Sequence, residues 1–154
     1  MPSARREIQE KLIDILETIT VSNGYHHDVA AATKKLKGIE QISSFPELCV
    51  IEGEQVFHIT SEEENLYEVT STFSVIGYVK VGTDADDAGI LSDACDDLLE
   101  DIRDALLDNA GVLFSETAAK SIRFLSDEPV LDYQNNWGHI TVNFSVMYYY
   151  GTGA

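Results

Sequence analysis

His26-His27-Asp28 is the densest cluster of metal-ligand side-chain types in the chain. A metal needs donors converging on one point. Adjacent histidines on an extended segment point to opposite faces, so the pair chelates poorly and reads as a turn. Asp84-Ala85-Asp86-Asp87 has the oxygen density of a calcium loop. It lacks the glycine and the distal glutamate at loop spacing, so helix capping is the better reading. Glu52-Gly53-Glu54 offers two carboxylates, but a metal-dependent nuclease would want a nearby lysine and that segment has none. Asp93, Asp96, Asp97, Glu100, Asp101, Asp104 and Asp108 could pair for acid–base work, yet carboxylates along one helix face ordinarily just solvate it. His58 and His139 stand apart from other ligand types and read as sheet residues. Phosphate-binding glycine patterns and the G-x-S-x-G nucleophile turn are absent. The residues therefore predict no catalytic site, no cofactor and no metal, and a protein that is not an enzyme.

What would position such residues is a sheet. From Leu66 to Val81 the sequence alternates, with Tyr67, Val69, Phe73, Val75, Val79 and Val81 against Glu68, Thr70, Thr72, Ser74 and Lys80. Ile140 to Tyr150 repeats the pattern, with Ile140, Val142, Phe144, Val146 and Tyr148 against Thr141, Asn143 and Ser145. Period-two alternation means half-buried strands of an antiparallel sheet. Sixteen residues span about 53 Å, whereas a globule of this length is on the order of 40 Å across. Such a strand either kinks, with Gly77 the expected place, or carries one end out of the body to touch something else.

Helical periodicity frames the strands. Arg5 to Ile19 places Ile8, Leu12, Ile15, Leu16 and Ile19 on one stripe, with Ser3 as cap. A second helix, capped by Thr83 or Asp84, buries Leu91, Cys95, Leu98, Ile102, Ala105 and Leu106 and ends at Asn109 to Gly111. Shorter strands are expected at Val29 to Leu36 and Ser121 to Leu125, while Leu48 to Ile51 is a short apolar run and Gln55 to Thr60 alternates again. A loop around Pro129 should run from Asp127 to Asn136. In Gln55 to Thr60 either Val56 and His58 or Phe57 and Ile59 could face inward. The expectation is one domain over residues 1–154, α+β, with a mostly antiparallel sheet of long strands and two helices packed on one face.

Composition narrows the partners. The 154 residues carry a net charge of −17, which argues against ordinary binding to a nucleic-acid backbone. Residues 1–38 hold six basic against five acidic residues, net +1, and the remainder holds four against twenty-two, net −18. One subunit's basic segment, Lys34, Lys35 and Lys37, could thus meet a neighbour's acidic face. Tyr148-Tyr149-Tyr150 makes both faces of a strand end aromatic, and aromatic residues are enriched in interface cores. No stretch of about 18 apolar residues exists to span a membrane, and no apolar signal core opens the chain. Cys49 and Cys95, two widely spaced cysteines, read as buried free thiols.

Several segments together resemble the tail terminator (tail completion) proteins of tailed bacteriophages, the family of the phage lambda terminator. They are the opening helix Arg5–Ile19, the link Thr18–Tyr25 into Asp28-Val29, and Phe45–Glu54. Phe73–Val81, the helix Asp96–Leu107 and the final strand Ile140–Tyr150 continue the likeness. It covers most of the chain and rests on element order and loose patterns. The resemblance implies an α+β subunit that forms a hexameric ring on the head-proximal end of the tail tube. That ring stops tube growth and offers the surface for head joining. Its implied partners are further copies of the chain, the tail tube protein and neck or connector proteins, with DNA passing through the lumen without specific binding. The implied location is the virion's tail–neck junction, after assembly in the host cytoplasm. Competing readings are another neck or connector subunit, a small metal-dependent hydrolase using the Asp-rich helix, and an acidic adaptor for a basic partner.

Overall fold

Two fifteen-residue strands, β3 (Leu66–Lys80) and β5 (Trp137–Gly151), pair antiparallel along their whole length without a register shift. They occupy the middle of a five-stranded sheet in a computed structural model that describes residues 3–82 and 88–152. β2 (Glu47–Ser61) flanks β3, and β4 (Ser121–Asp132) flanks β5, both antiparallel. The short β1 (Ala31–Thr33) joins β2 in parallel, opposite Glu47 to Cys49 alone. The order is β1-β2-β3-β5-β4. Alternation decides the faces: Val69, Phe73 and Val75 of β3 and Ile140, Val142, Phe144 and Val146 of β5 are buried on one side. Phe73 and Phe144, opposite each other, stack with ring centroids 5.9 Å apart.

That buried face carries the helices. α1 (Ala4–Leu16) is capped by Ser3, whose Oγ accepts from the Arg6 N–H at 3.2 Å, and buries Ile8, Leu12, Ile15 and Leu16. α2 (Ala88–Asp108) sets Leu91, Cys95, Leu98, Ile102, Ala105 and Leu106 into the same core. The expected caps Thr83 and Asp84, and the acidic run through Asp87, lie outside the described residues. The α+β class, the long strands and the helix-covered face hold. So do the two helices packed on that face, α1 and α2; a third, α3 (Ala110–Glu116), follows α2, buries Leu113 and packs against α1 and α2. Leu113 and the partly buried Phe114 face the core, a stretch too short for periodicity to read.

Three further elements differ from expectation. The sheet does not kink at Gly77, which pairs regularly with Leu48 and Ile140. A Cβ there would lie 2.7 Å from Leu48 Cδ2 and 3.1 Å from Leu98 Cδ2, so the glycine admits α2 close to the sheet. The irregularities lie in the flanking strands: Gly53 and Glu54 form a bulge in β2 between Glu52 and Gln55, and further register shifts fall between Ile59 and Ser61 of β2 and between Phe124 and Ser126 of β4. The loop expected from Asp127 is strand up to Asp132, and Pro129 is tolerated because β4 is an edge strand that needs no outward N–H. The strand expected over Val29 to Leu36 shrinks to Ala31–Thr33.

Filling the space at Gly77 should cost stability. Gly77→Ala is expected to lose about 1–3 kcal/mol in urea unfolding through overpacking against Leu48 and Leu98. Leu98→Ala should lose roughly 2–5 kcal/mol through a cavity. A Gly77→Ala variant as stable as the parent would refute the close approach of α2.

Candidate functional site: the projecting end of the sheet

The helix layer stops where α1 begins. Arg5 Nη1 donates to the Gly53 carbonyl at 3.3 Å, and Nη2 lies 3.1 Å from Glu52 Oε2, which pins the first turn of α1 to the β2 bulge. The bulge also reverses the alternation. After it, Gln55, Phe57 and Ile59 stand opposite Ser71, Val69 and Tyr67 on the helix-side face, while Val56 and His58 take the other. This resolves the ambiguity in Gln55 to Thr60, although neither face is covered there.

Beyond the bulge the β2–β3 hairpin and the end of β5 project. Phe57 and Ile59 are each 51% exposed, Tyr150 61%, Val56 41% and Tyr149 38%. Phe57 meets Tyr67 and Tyr150 edge-on, with ring centroids 6.3 and 6.4 Å away. The three rings therefore form one aromatic cluster in water. At its base, Gln55 Nε2 donates to Ser71 Oγ and to Tyr148 Oη, both at 2.7 Å, satisfying polar groups that the core would otherwise strand. An open cleft of about 490 Å³ lies between Arg5, Gln55, Phe57, Tyr148 and Tyr150. No charged side chain falls within Gln55 to Ser61, whereas Glu54, Glu62, Glu63 and Glu64 flank it and are exposed. The arrangement is an apolar contact patch with an acidic rim.

The candidate residues from the sequence divide accordingly. Of the three tyrosines, Tyr149 and Tyr150 belong to the exposed end, while Tyr148 is buried and held by Gln55. The basic segment is partly engaged within its own subunit. Lys34 Nζ bonds Glu10 Oε1 at 3.0 Å, and Lys37 Nζ bonds Glu47 Oε1 at 2.5 Å. The Lys34 hydrogen bond, with that of Arg6, holds the Glu10 carboxyl below the ordinary glutamate range. Lys35 is exposed beside them. Sequence reading passed over Phe57 and Ile59 as a probe of contact. Their signal is an uncharged, proline-free run from Gln55 to Ser61, but the bulge immediately before it decides which face it uses.

The acidic helix has one exception to solvation. Asp101 is buried, and its carboxylate accepts the His26 and His27 N–H groups, each at 2.9 Å, and meets His27 Nδ1 at 3.1 Å. The His26-His27 turn is thus a loop anchored to α2. Among the described residues no three His, Cys, Asp or Glu side chains converge to hold a metal, and no helix is long and apolar enough to cross a membrane. Cys49 and Cys95 are buried and unpaired by disulfide.

No protein-family model matches the chain, and a search of curated proteins finds no relative. Its own geometry must therefore carry the functional reading. Asp101→Ala should destabilise the fold by about 2–4 kcal/mol, because two backbone donors lose a charged acceptor. Asp96→Asn and Asp104→Asn should each shift stability by less than about 0.5 kcal/mol. Equal effects at all three positions in urea titrations would refute the anchoring role.

Proposed function

We propose that the chain is a virion structural protein of the tail terminator kind, a ring subunit that caps the head-proximal end of a phage tail tube and presents the head-joining surface. The observation carrying this reading is the uncovered sheet end. A chain of net charge −17 keeps an uncharged apolar patch, with Phe57, Ile59 and Tyr150 each more than half exposed, beyond the reach of its helices. Exposed aromatic patches of this kind mark protein interfaces.

Electrostatics supports the same reading. Identical subunits of high negative charge repel, so association requires a local patch where charge is low and apolar burial is high. A ring lumen lined by carboxylates would repel DNA phosphates and let a genome pass without sticking. The tail tube protein, a neck or connector protein and further copies of the chain are the proposed partners. The ring's proposed place is the tail–neck junction of the virion.

Native mass spectrometry and electron microscopy of the chain, alone and with tail tubes, test this. A closed ring of six copies, free or seated on tube ends, is the expected result. A chain that stays monomeric at high concentration and leaves tube ends bare would overturn the proposal.

A further inference from the structure

We propose that the Lys35-Leu36 turn of one copy docks into the aromatic cleft at the projecting end of the next, with Leu36 seated between Phe57 and Tyr150 and Lys35 among the rim carboxylates. This deepens the ring reading above and rests on it. The cleft is open in the subunit, about 490 Å³ between Arg5, Gln55, Phe57, Tyr148 and Tyr150, and no residue from Lys34 to Lys37 lines it. Its rim is acidic. Glu54, Glu62, Glu63 and Glu64 are exposed and join no ion pair among the described residues. An apolar socket ringed by unpaired carboxylates fits an apolar side chain carried between basic neighbours.

The chain itself carries such a segment. Leu36 is 56% exposed, and of the exposed large apolar side chains among the described residues it alone has basic neighbours and no acidic residue within three positions. Leu125, its nearest rival, has Asp127 and Glu128 beside it. The turn is also held from within. Lys34 Nζ bonds Glu10 Oε1 at 3.0 Å, Lys37 Nζ bonds Glu47 Oε1 at 2.5 Å, and Tyr78 Oη donates to the Lys37 carbonyl at 2.6 Å. Thr33 Oγ1 donates to the Lys35 carbonyl at 3.3 Å. These contacts occupy the outer two lysines, while Lys35 and Leu36 stay exposed and Lys35 joins no ion pair among the described residues. A turn fixed in this way gives up little conformational freedom on docking.

Turn and cleft lie apart on the subunit. The turn rounds the β1 edge of the sheet, from Glu10 on α1 to Glu47 and Tyr78, a cross-strand pair whose side chains lie on the face opposite the helices. The cleft opens on the helix side, past the β2 bulge. Thr33, where β1 ends, stands in the row of Cys49 and Ile76, whereas Gln55 of the cleft stands in that of Ser71. Filling the subunit's own cleft would require the turn to surrender the contacts that hold it, so the occupant comes from another copy. Each copy gives a turn and receives one. That is a heterologous contact between unlike patches, the type that closes into rings. It is also a place where two copies meet with opposite charge, while over most of the surface carboxylates would face carboxylates.

Cross-linking tests the docking. Both native thiols are buried, and burial pushes the Cys95 thiol up to about 11, so a maleimide reads the introduced cysteines. The Lys35→Cys, Glu54→Cys double variant keeps Leu36 and Phe57. Treated with a short bismaleimide, it should give a ladder of linked multimers ending at the copy number of the ring, and neither single variant should. A ring of the double variant seen by native mass spectrometry without that ladder would overturn the docking while leaving the ring reading intact. Dimers from either single variant would overturn it in favour of a two-fold contact. Failure to form ring or ladder, even with tail tubes, would overturn both. Because Leu36 is exposed, Leu36→Asp should keep the parent's urea midpoint yet weaken assembly about tenfold or more. Lys35→Glu should weaken it about fivefold at low salt, and adding Glu54→Lys should restore it. Assembly of folded Leu36→Asp at the parent's strength would overturn the docking, and no restoration in the charge-exchanged variant would overturn the match of Lys35 to the rim.

Discussion

Fifteen consecutive cross-strand pairs between β3 and β5 hold a single register, and everything else is arranged around them. Because the side-chain period is two, a slip of one residue would exchange the faces and expel Phe73, Val75, Val142 and Phe144 from the core. That exclusion fixes where the helices must lie. α2 packs close at Gly77 and Gly138, where the sheet offers no Cβ, and α1 closes the side over β2. A strand of fifteen residues extends about 50 Å, while the twenty-one residues of α2 cover about 32 Å. The pairing therefore outruns its cover, and the projecting end follows from the same register that makes the core.

The charge distribution gives that end its meaning. Carboxylates occupy the outer face of α2 and the turns, and they keep copies apart at most of the surface. The projecting end is where this repulsion is relaxed. It combines uncharged side chains, an aromatic cluster and an acidic rim. An isolated subunit leaves this surface in water. In the proposed assembly, the same surface would be buried.

Much of this was legible in the residues, and the remainder has physical reasons for being hidden. The alternation from Leu66 and from Ile140 announces both central strands because each has one face in the core. Ser3 and the apolar stripe mark α1 in the same way. β4 past Asp127 was obscured by Pro129, which excludes a central strand but not an edge. The bulge at Gly53 and Glu54 was invisible because its signature is geometric, and it alone decides that Phe57 and Ile59 share the helix-side face. Asp101 looked like six neighbouring carboxylates until the chain folded His26 and His27 back onto it, a contact spanning 75 and 74 residues. Lys34 and Lys37 read as available cations, but Glu10 and Glu47 reach them only in the tertiary fold.

Hydrogen–deuterium exchange at Gln55 to Ser61 tests the central claim most directly, comparing dilute chain with the assembled particle. Among the described residues, amides of this segment that point away from β3 have no backbone partner, and they should exchange rapidly in the dilute chain. On assembly they should slow markedly, while the exchange of β3 and β5, already paired on both sides, stays as it was. Unchanged rapid exchange at Gln55 to Ser61 in the assembled particle would contradict the account.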